Sequence, residues 1–217
     1  MSEYLTPGIK AVFFDHDDTL VGTIEAKFAQ HKHVAKTCYN KELTNDELIL
    51  HWGKPLTDLL KILYGTQDTN KAFTHVLAVH QDFPKLLLAD TIPTLQTLHE
   101  RGLKLGLVTA ASRFSLDHDL ESLAIPRSLI SYIQTEEDSD YHKPDPRVFT
   151  HALVWLKEQQ ISPEEVTYVG DGLHDAKAAL GAGFNFIGVE TGLVTLQQFQ
   201  GAGHVSIAGL SQLLKMP

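Results

Sequence analysis

The sequence runs to 217 residues, 43% of them hydrophobic and 21% charged, which excludes a disordered or fibrous chain. Lys plus Arg is 18 and Asp plus Glu is 27, a net charge of -9 with His neutral. So acidic a chain, without basic clusters, argues against nucleic acid and anionic membrane surfaces as partners. The single cysteine, Cys38, leaves no intrachain disulfide. No apolar stretch approaches the roughly 20 residues of a membrane span. Met1 to Lys10 lacks the basic region and apolar run of a signal peptide, so the expected compartment is the cytoplasm.

In chain order, Ala11–Phe14 reads as a short buried strand that ends in acidic residues. Only helical patterns follow for a long stretch: Ile24–Tyr39, Asn45–His51, Leu56–Tyr64 and Asn70–Phe83. Thr44-x-x-Glu47 has the form of a capping box, and Gly65 is a plausible stop. Pro93 opens and Gly102 closes a segment with Leu95, Leu98 and Arg101 at helical spacing. Strand-like segments then recur at Leu103–Val108, Leu129–Ile133, Val166–Val169 and Phe184–Val189.

Between those strands, Pro146 can start a helix with Val148, Phe149, Ala152, Leu153 and Leu156 on one face. Ser162-Pro163-Glu164-Glu165 reads as another helix start. Alternation of this kind predicts an α/β fold, a parallel sheet with helices on both faces. The expected organisation is a core of residues 1–21 and 89–217, with residues 22–88 inserted after the first strand as a small all-helical domain.

Ligands of open parallel sheets bind outside the carboxyl ends of the strands. Those ends carry Asp15-His16-Asp17-Asp18-Thr19, Thr109-Ala110-Ala111-Ser112, Lys143-Pro144-Asp145-Pro146 and Gly170-Asp171-Gly172-Leu173-His174-Asp175. Crowded carboxylates repel one another and call for a cation. An all-oxygen set suits Mg²⁺, which keeps several waters and uses one or two carboxylates plus substrate phosphate. A lysine and a threonine can take the remaining phosphate oxygens. Phosphoryl transfer, governed by positioning and charge neutralisation, is the favoured chemistry.

Ala11-Val12-Phe13-Phe14-Asp15-His16-Asp17-Asp18-Thr19-Leu20 resembles the first motif of the haloacid dehalogenase-like superfamily. Thr109, Lys143 and Gly170-Asp171-x-x-x-Asp175 resemble its second, third and fourth motifs, in order and at the expected strand ends. The resemblance covers essentially the whole chain, with the helical insertion at the place of the family's cap. It implies a Rossmann-like core and the following roles. Asp15 would form an aspartyl-phosphate, and Asp17 would protonate the leaving oxygen and later deprotonate water. Thr109 and the following N–H, that of Ala110, would hold phosphate oxygens, and Lys143 would steady Asp15 and the transferring group. Mg²⁺ would be held by Asp15, the backbone carbonyl of Asp17 and Asp171, with Asp175 in support.

Asp17 favours a phosphate ester, because the branches that cleave carbon–halogen or carbon–phosphorus bonds lack an aspartate there. Asp18 stands where many relatives have glycine and reads as a helix cap. In the insertion, Lys54 of Trp52-Gly53-Lys54-Pro55 resembles a substrate-contacting cap loop, while Lys27 and His31 read as solvated helix positions. Ser112 and Arg113 follow the second motif and read either as contacts to the leaving group or as the start of a surface helix. Cys38 reads as a small apolar filler, Trp52 and Trp155 as packing residues, and Gly181 and Gly183 as a tight turn.

The resemblance therefore implies a Mg²⁺-dependent phosphatase of the phosphoglycolate phosphatase-like type. Its partner would be a small phosphorylated metabolite, and the chain a monomer or small homo-oligomer. A second reading is a phosphosugar mutase like β-phosphoglucomutase, which carries a histidine where this chain has Lys27. A third is a phosphoaspartate signalling module, which would be about half this size and without the helical insertion.

Overall fold

The computed structural model describes residues 8–54 and 56–215. Most of the Met1–Lys10 segment, Pro55 of the Trp52-Gly53-Lys54-Pro55 string, and residues 216–217 lie outside the described part. In chain order the elements are β1 (Ala11–Phe14), β2 (Val21–Gly22), α1 (Ile24–Tyr39), α2 (Asn45–His51), α3 (Leu56–Tyr64), α4 (Thr69–Ala78) and β3 (Leu86–Leu87). Then follow α5 (Thr91–Glu100), β4 (Lys104–Val108), α6 (Arg113–Ser122), β5 (Tyr132–Gln134), α7 (Thr150–Glu158), β6 (Val166–Gly170), α8 (Leu173–Gly181), β7 (Asn185–Val189), α9 (Leu196–Gly201) and β8 (Val205–Ile207).

The chain divides into two compact units: one holds the residues through Gly22 and from Leu87 onward, the other Thr23–Leu86. In the first, a parallel sheet has the order β5-β4-β1-β6-β7-β8. Ala11 of β1 stands opposite Lys104 of β4 and Val166 of β6. The strand order thus reverses at β1, and such a switch point opens a crevice at the carboxyl ends of β1, β4 and β6.

Residues of β1 alternate between two apolar layers, as the two-residue period of a strand demands. Val12 and Phe14 pack with Leu105, Leu107, Leu116 and Leu120 on one face. Ala11 and Phe13 pack with Phe149, Ala152, Tyr168 and Phe184 on the other. Both layers are buried, so β1 is held at roughly 1.5–3 kcal/mol per large side chain. The rigid end of this strand carries Asp15.

Several local expectations resolve differently. Ser162-Pro163-Glu164-Glu165 forms its capping box, but on a three-residue 3-10 turn that feeds β6 directly. Pro146 opens a 3-10 turn, Pro146–Phe149, and α7 begins only at Thr150. Strand β8 pairs with β7 at the sheet edge; only three residues long, it left too little pattern to be read.

The second unit has its own core, in which Phe28, Val34, Leu48, Leu60, Leu63 and Ala72 are buried together. Thr44 and Glu47 close a reciprocal capping box on α2. Gly65, at φ +66°, ends α3.

Candidate active site

The N–H of Asp15 donates to Val169 O at 2.9 Å, carrying the β1–β6 ladder one residue beyond the strand. The chain then turns sharply. His16 O accepts the amides of Thr19 (3.3 Å), Leu20 (2.9 Å) and Val21 (3.2 Å), and Asp18 sits in the left-handed region at φ +54°. Asp18 donates its N–H to Val21 O and caps no helix, since the next one, α1, has Thr23 at its N-cap position. The cap expected of Asp18 is therefore corrected: the turn uses its backbone.

Beyond β4, Thr109 is buried, its N–H on Gln134 O at 3.1 Å and its Oγ1 accepting the N–H of Ala111 at 3.0 Å. The hydroxyl proton of Thr109 and the exposed Ala110 lie at the strand end, where an oxyanion can be met. Ser112 caps α6 through Ser115 N.

Lys143 reaches the same edge from the loop before the Pro146–Phe149 turn, with its side chain only 3% exposed. Its Nζ donates to Asp175 Oδ1 at 2.7 Å and to Tyr168 OH at 3.0 Å, and lies 2.9 Å from Asp15 Oδ1. The contact with Asp15 is an ion pair without hydrogen-bond alignment, so the buried Asp15 Oδ1 has no hydrogen-bond donor. Asp175, in the first turn of α8, accepts the N–H of Gly172 on Oδ2 at 3.0 Å. Both of its oxygens are thereby engaged, and Asp175 orients the lysine. A side chain at Gly170 would strike the Asp175 carboxylate at 2.6 Å, so that close approach requires glycine.

Carboxylate oxygens of Asp15, Asp171 and Asp175 lie within 4.8 Å of one another. Burial pushes the Asp15 carboxyl upward; Lys143 opposes this, Asp175 adds to it, and the outcome is upward. Burial, reinforced by Asp15, Asp175 and Asp18, pushes Asp171 to about 9. Burial alone would lower Lys143, yet Asp15 and Asp175 hold it well above the ordinary lysine value.

One ammonium thus faces three carboxylates, which when all are ionised leave two negative charges in excess. A divalent cation on oxygen donors supplies that difference. The donorless Asp15 Oδ1 and the raised Asp171 carboxyl are the groups it fits.

Four contributors were not legible as site residues. Tyr168 is fully buried and donates its hydroxyl to Val108 O at 2.6 Å while accepting from Lys143. Thr191 Oγ1 donates to Asp18 O, tying the loop after β7 to the turn after β1. A Cβ on Gly192 would stand 1.9 Å from Asp171 Oδ2. His16 bonds Asp119 across 103 residues. The strand-end rule, extended to β7, points to Thr191 and Gly192; no sequence signal marks the other two.

Other expected positions find different work. Arg113 directs its guanidinium to Asp138 and its N–H to Glu137, both beyond β5. Lys54 is exposed between α2 and α3 in the helical unit, its Nζ 2.8 Å from His51 Nδ1. Lys27, half-buried, donates to Gln30 Oε1. His31 is no solvated position: it is buried, with Nδ1 2.7 Å from Tyr64 OH. Cys38 is exposed rather than a filler, because it falls on the outer side of α1. Trp52 and Trp155 do pack against apolar clusters.

A parallel sheet that brings three aspartates and one lysine to the carboxyl edge of its switch point defines an α/β hydrolytic core. Residues 12–189 match the haloacid dehalogenase-like hydrolase family. The chain is 31% identical over 186 residues to pyrophosphatase PpaX of Anoxybacillus flavithermus, covering 83% of each. A structure provisionally described as a haloacid dehalogenase-like hydrolase from Bacteroides fragilis superposes at TM-score 0.77, with 28% identity over 94% of this chain and 99% of that one. A structure provisionally described as a β-phosphoglucomutase from Thermotoga maritima shares the fold at TM-score 0.80, with 22% identity over 95% and 97% of the two chains. The chain belongs to the haloacid dehalogenase-like hydrolases.

Proposed function

We propose that this hydrolase is a Mg²⁺-dependent phosphatase that releases phosphate from a small phosphorylated metabolite through an aspartyl-phosphate on Asp15. The observation that carries the proposal is the buried Asp15, held beside Lys143 with no aligned hydrogen bond on its Oδ1. Asp15, the backbone carbonyl of Asp17 and Asp171 would hold Mg²⁺, with Asp175 behind them. The ion would supply positive charge for the carboxylates and the phosphate oxygens.

The chain's own residues divide the remaining work. Lys143, steered by Asp175 and Tyr168, favours the ionised form of Asp15 and meets charge on the transferring group. The Thr109 hydroxyl and the Ala110 N–H receive phosphate oxygens at the end of β4. Asp17, half-buried and two residues beyond the nucleophile, gives its proton to the leaving oxygen and then takes one from water. The helical unit, Thr23–Leu86, stands in the chain where the family's cap stands. Lys54 and Arg113 are candidates for substrate contact, Arg113 on condition that it exchanges Asp138 for the substrate.

A phosphomonoester of the phosphoglycolate or sugar phosphate kind is the substrate class that Asp17 favours. Inorganic pyrophosphate is the second reading, supported by the pyrophosphatase named above. Phosphate release should be measured across phosphoglycolate, sugar phosphates, nucleotides and pyrophosphate, with and without Mg²⁺. Turnover that disappears with chelator and in Asp15→Asn is expected, and the ranking names the substrate. No release from any of them, or release indifferent to both treatments, overturns the proposal.

A further inference from the structure

We propose that His16 is a positioning residue: its bond to Asp119 locks the Asp15–Asp17 turn onto the helix that follows the phosphate-binding strand end. The inference rests on the activity proposed above and concerns how that site is held in shape.

The alternation of β1 continues past its end. Val12 and Phe14 face the layer that contains Leu116 and Leu120 of α6, whereas Ala11 and Phe13 face the opposite layer. His16 keeps the even phase, and its fully buried ring meets Asp119 of α6, with Nε2 2.9 Å from Oδ2. Asp15 keeps the odd phase, whereas the turn breaks the alternation and brings an Asp17 carboxylate oxygen within 4.8 Å of the His16 ring and the Asp119 carboxylate. One residue therefore separates the two groups proposed to do chemistry, and its side chain is anchored on Asp119.

The anchor ties two otherwise separate pieces. His16 O gathers the amides of Thr19, Leu20 and Val21, so the residue is the hub of the whole turn. Asp119 lies seven residues along from Ser112, the N-cap of α6, or about 10 Å of helix. Thr109 and Ala110 lie only three and two residues before that cap. Fixing His16 against Asp119 thus fixes Asp15 and Asp17 relative to the phosphate-binding end of β4.

Stability alone does not call for this pair. Asp119 is flanked by the buried Leu116 and Leu120, and apolar pairs in such surroundings are often as stable as ionic ones. A carboxylate accepts only, so the His16 Nε2 carries the hydrogen. The other ring nitrogen, Nδ1, is buried with no partner, which an apolar ring would avoid. What the polar pair adds is direction, since a hydrogen bond constrains angle as well as distance.

The test uses the full chain with His16→Phe, His16→Gln, Asp119→Leu and the His16→Phe/Asp119→Leu double variant. Three readings are taken: kcat and KM on the best substrate, thermal stability, and amide hydrogen exchange of residues 15–21. His16→Phe should lower kcat by roughly ten- to hundredfold, the scale of a 1 Å misplacement, with little change in KM. Amides of the turn should exchange faster while those of β4 and β6 keep their protection. His16→Gln, which retains an N–H donor, should recover much of kcat.

Asp119→Leu should reproduce the defect, and the double variant should be no worse than either single one. If His16→Phe does not fold, Asp119→Leu and His16→Gln carry the same readings. An unchanged kcat per folded molecule, or exchange that rises throughout the sheet, overturns the positioning role. If the parent protein releases no phosphate at all, the proposed activity fails instead, and hydrogen exchange still reports the lock.

Discussion

In the helical unit, the buried imidazole of His31 meets Tyr64 OH, and the amide of Gln30 meets Val76 O. At the sheet edge of the other unit, Asp15, Asp171 and Asp175 crowd around one lysine. Burial moves titration in both places, with opposite consequences. Burial, helped by Lys27, depresses His31 to about 4, so the ring stays neutral beside the Tyr64 phenol. Burial and neighbouring charge raise Asp171 to about 9, so the metal-free site holds protons it would otherwise release. The first arrangement serves packing. The second is a set of groups whose repulsion only a further ligand relieves, and such groups mark functional sites.

The contrast breaks most visibly at Asp15. Replacing it by asparagine should remove phosphate release by more than about a thousandfold while leaving the fold intact. Residual turnover within tenfold of the parent would mean that the sheet edge is not the reactive centre.

Asp171→Asn sharpens the comparison through stability. At pH 7 the unfolded Asp171 is ionised and the folded one is not, so the group destabilises the metal-free protein. Its favourable contribution is whole below the unfolded value of 3.8 and is lost as pH rises towards about 9. The asparagine variant should therefore be more stable than the parent without metal, by up to about 4 kcal/mol near neutrality. Urea unfolding in chelator tests this, and a less stable variant would contradict the electrostatic account. Activity should be lost at the same time.

His31 should show the reverse slope. With the folded value depressed to about 4 from 6.5, its contribution is present above pH 6.5 and fades as pH falls through about 4. The full loss is about 3 kcal/mol. In His31→Gln the helical unit's acid sensitivity should flatten by that amount, read by unfolding free energies at neutral and acid pH. Equal slopes in parent and variant would show that His31 takes no part.

The smallest expected effect is that of Gly192→Ala. The added methyl meets Asp171 Oδ2, so that carboxylate must move. Mg²⁺ affinity should weaken by roughly ten- to hundredfold, with thermal stability nearly unchanged. Calorimetric titration with Mg²⁺ measures it; an unchanged affinity would remove Asp171 from the set of proposed ligands.

The features legible in the sequence were those written locally. Three helices of the insertion, Ile24–Tyr39, Asn45–His51 and Leu56–Tyr64, have the bounds that their periodicity and caps predict. The fourth was read too long, because Phe83 and its neighbours continue the apolar spacing beyond a 3-10 turn at His80–Asp82. Asp15, Thr109, Lys143, Asp171 and Asp175 were singled out because each follows an apolar strand, and the structure places Asp15, Lys143, Asp171 and Asp175 side by side.

Contacts between distant segments were not legible. Lys143 and Tyr168 are 25 residues apart, and His16 and Asp119 are 103 apart, with no pattern in either segment to announce the partner. Asp18 misled because an aspartate after a strand usually caps, whereas here the turn closes through a left-handed backbone.

Trapping the reaction on the protein tests the central claim most directly. The parent enzyme is mixed with its best substrate and Mg²⁺, quenched in acid within one turnover, digested and weighed peptide by peptide. The account predicts one phosphoryl group on the peptide that contains Asp15, absent from Asp15→Asn. Phosphate release with no phosphorylated peptide at any quench time, or a phosphoryl group on another residue while Asp15→Asn still turns over, would contradict it.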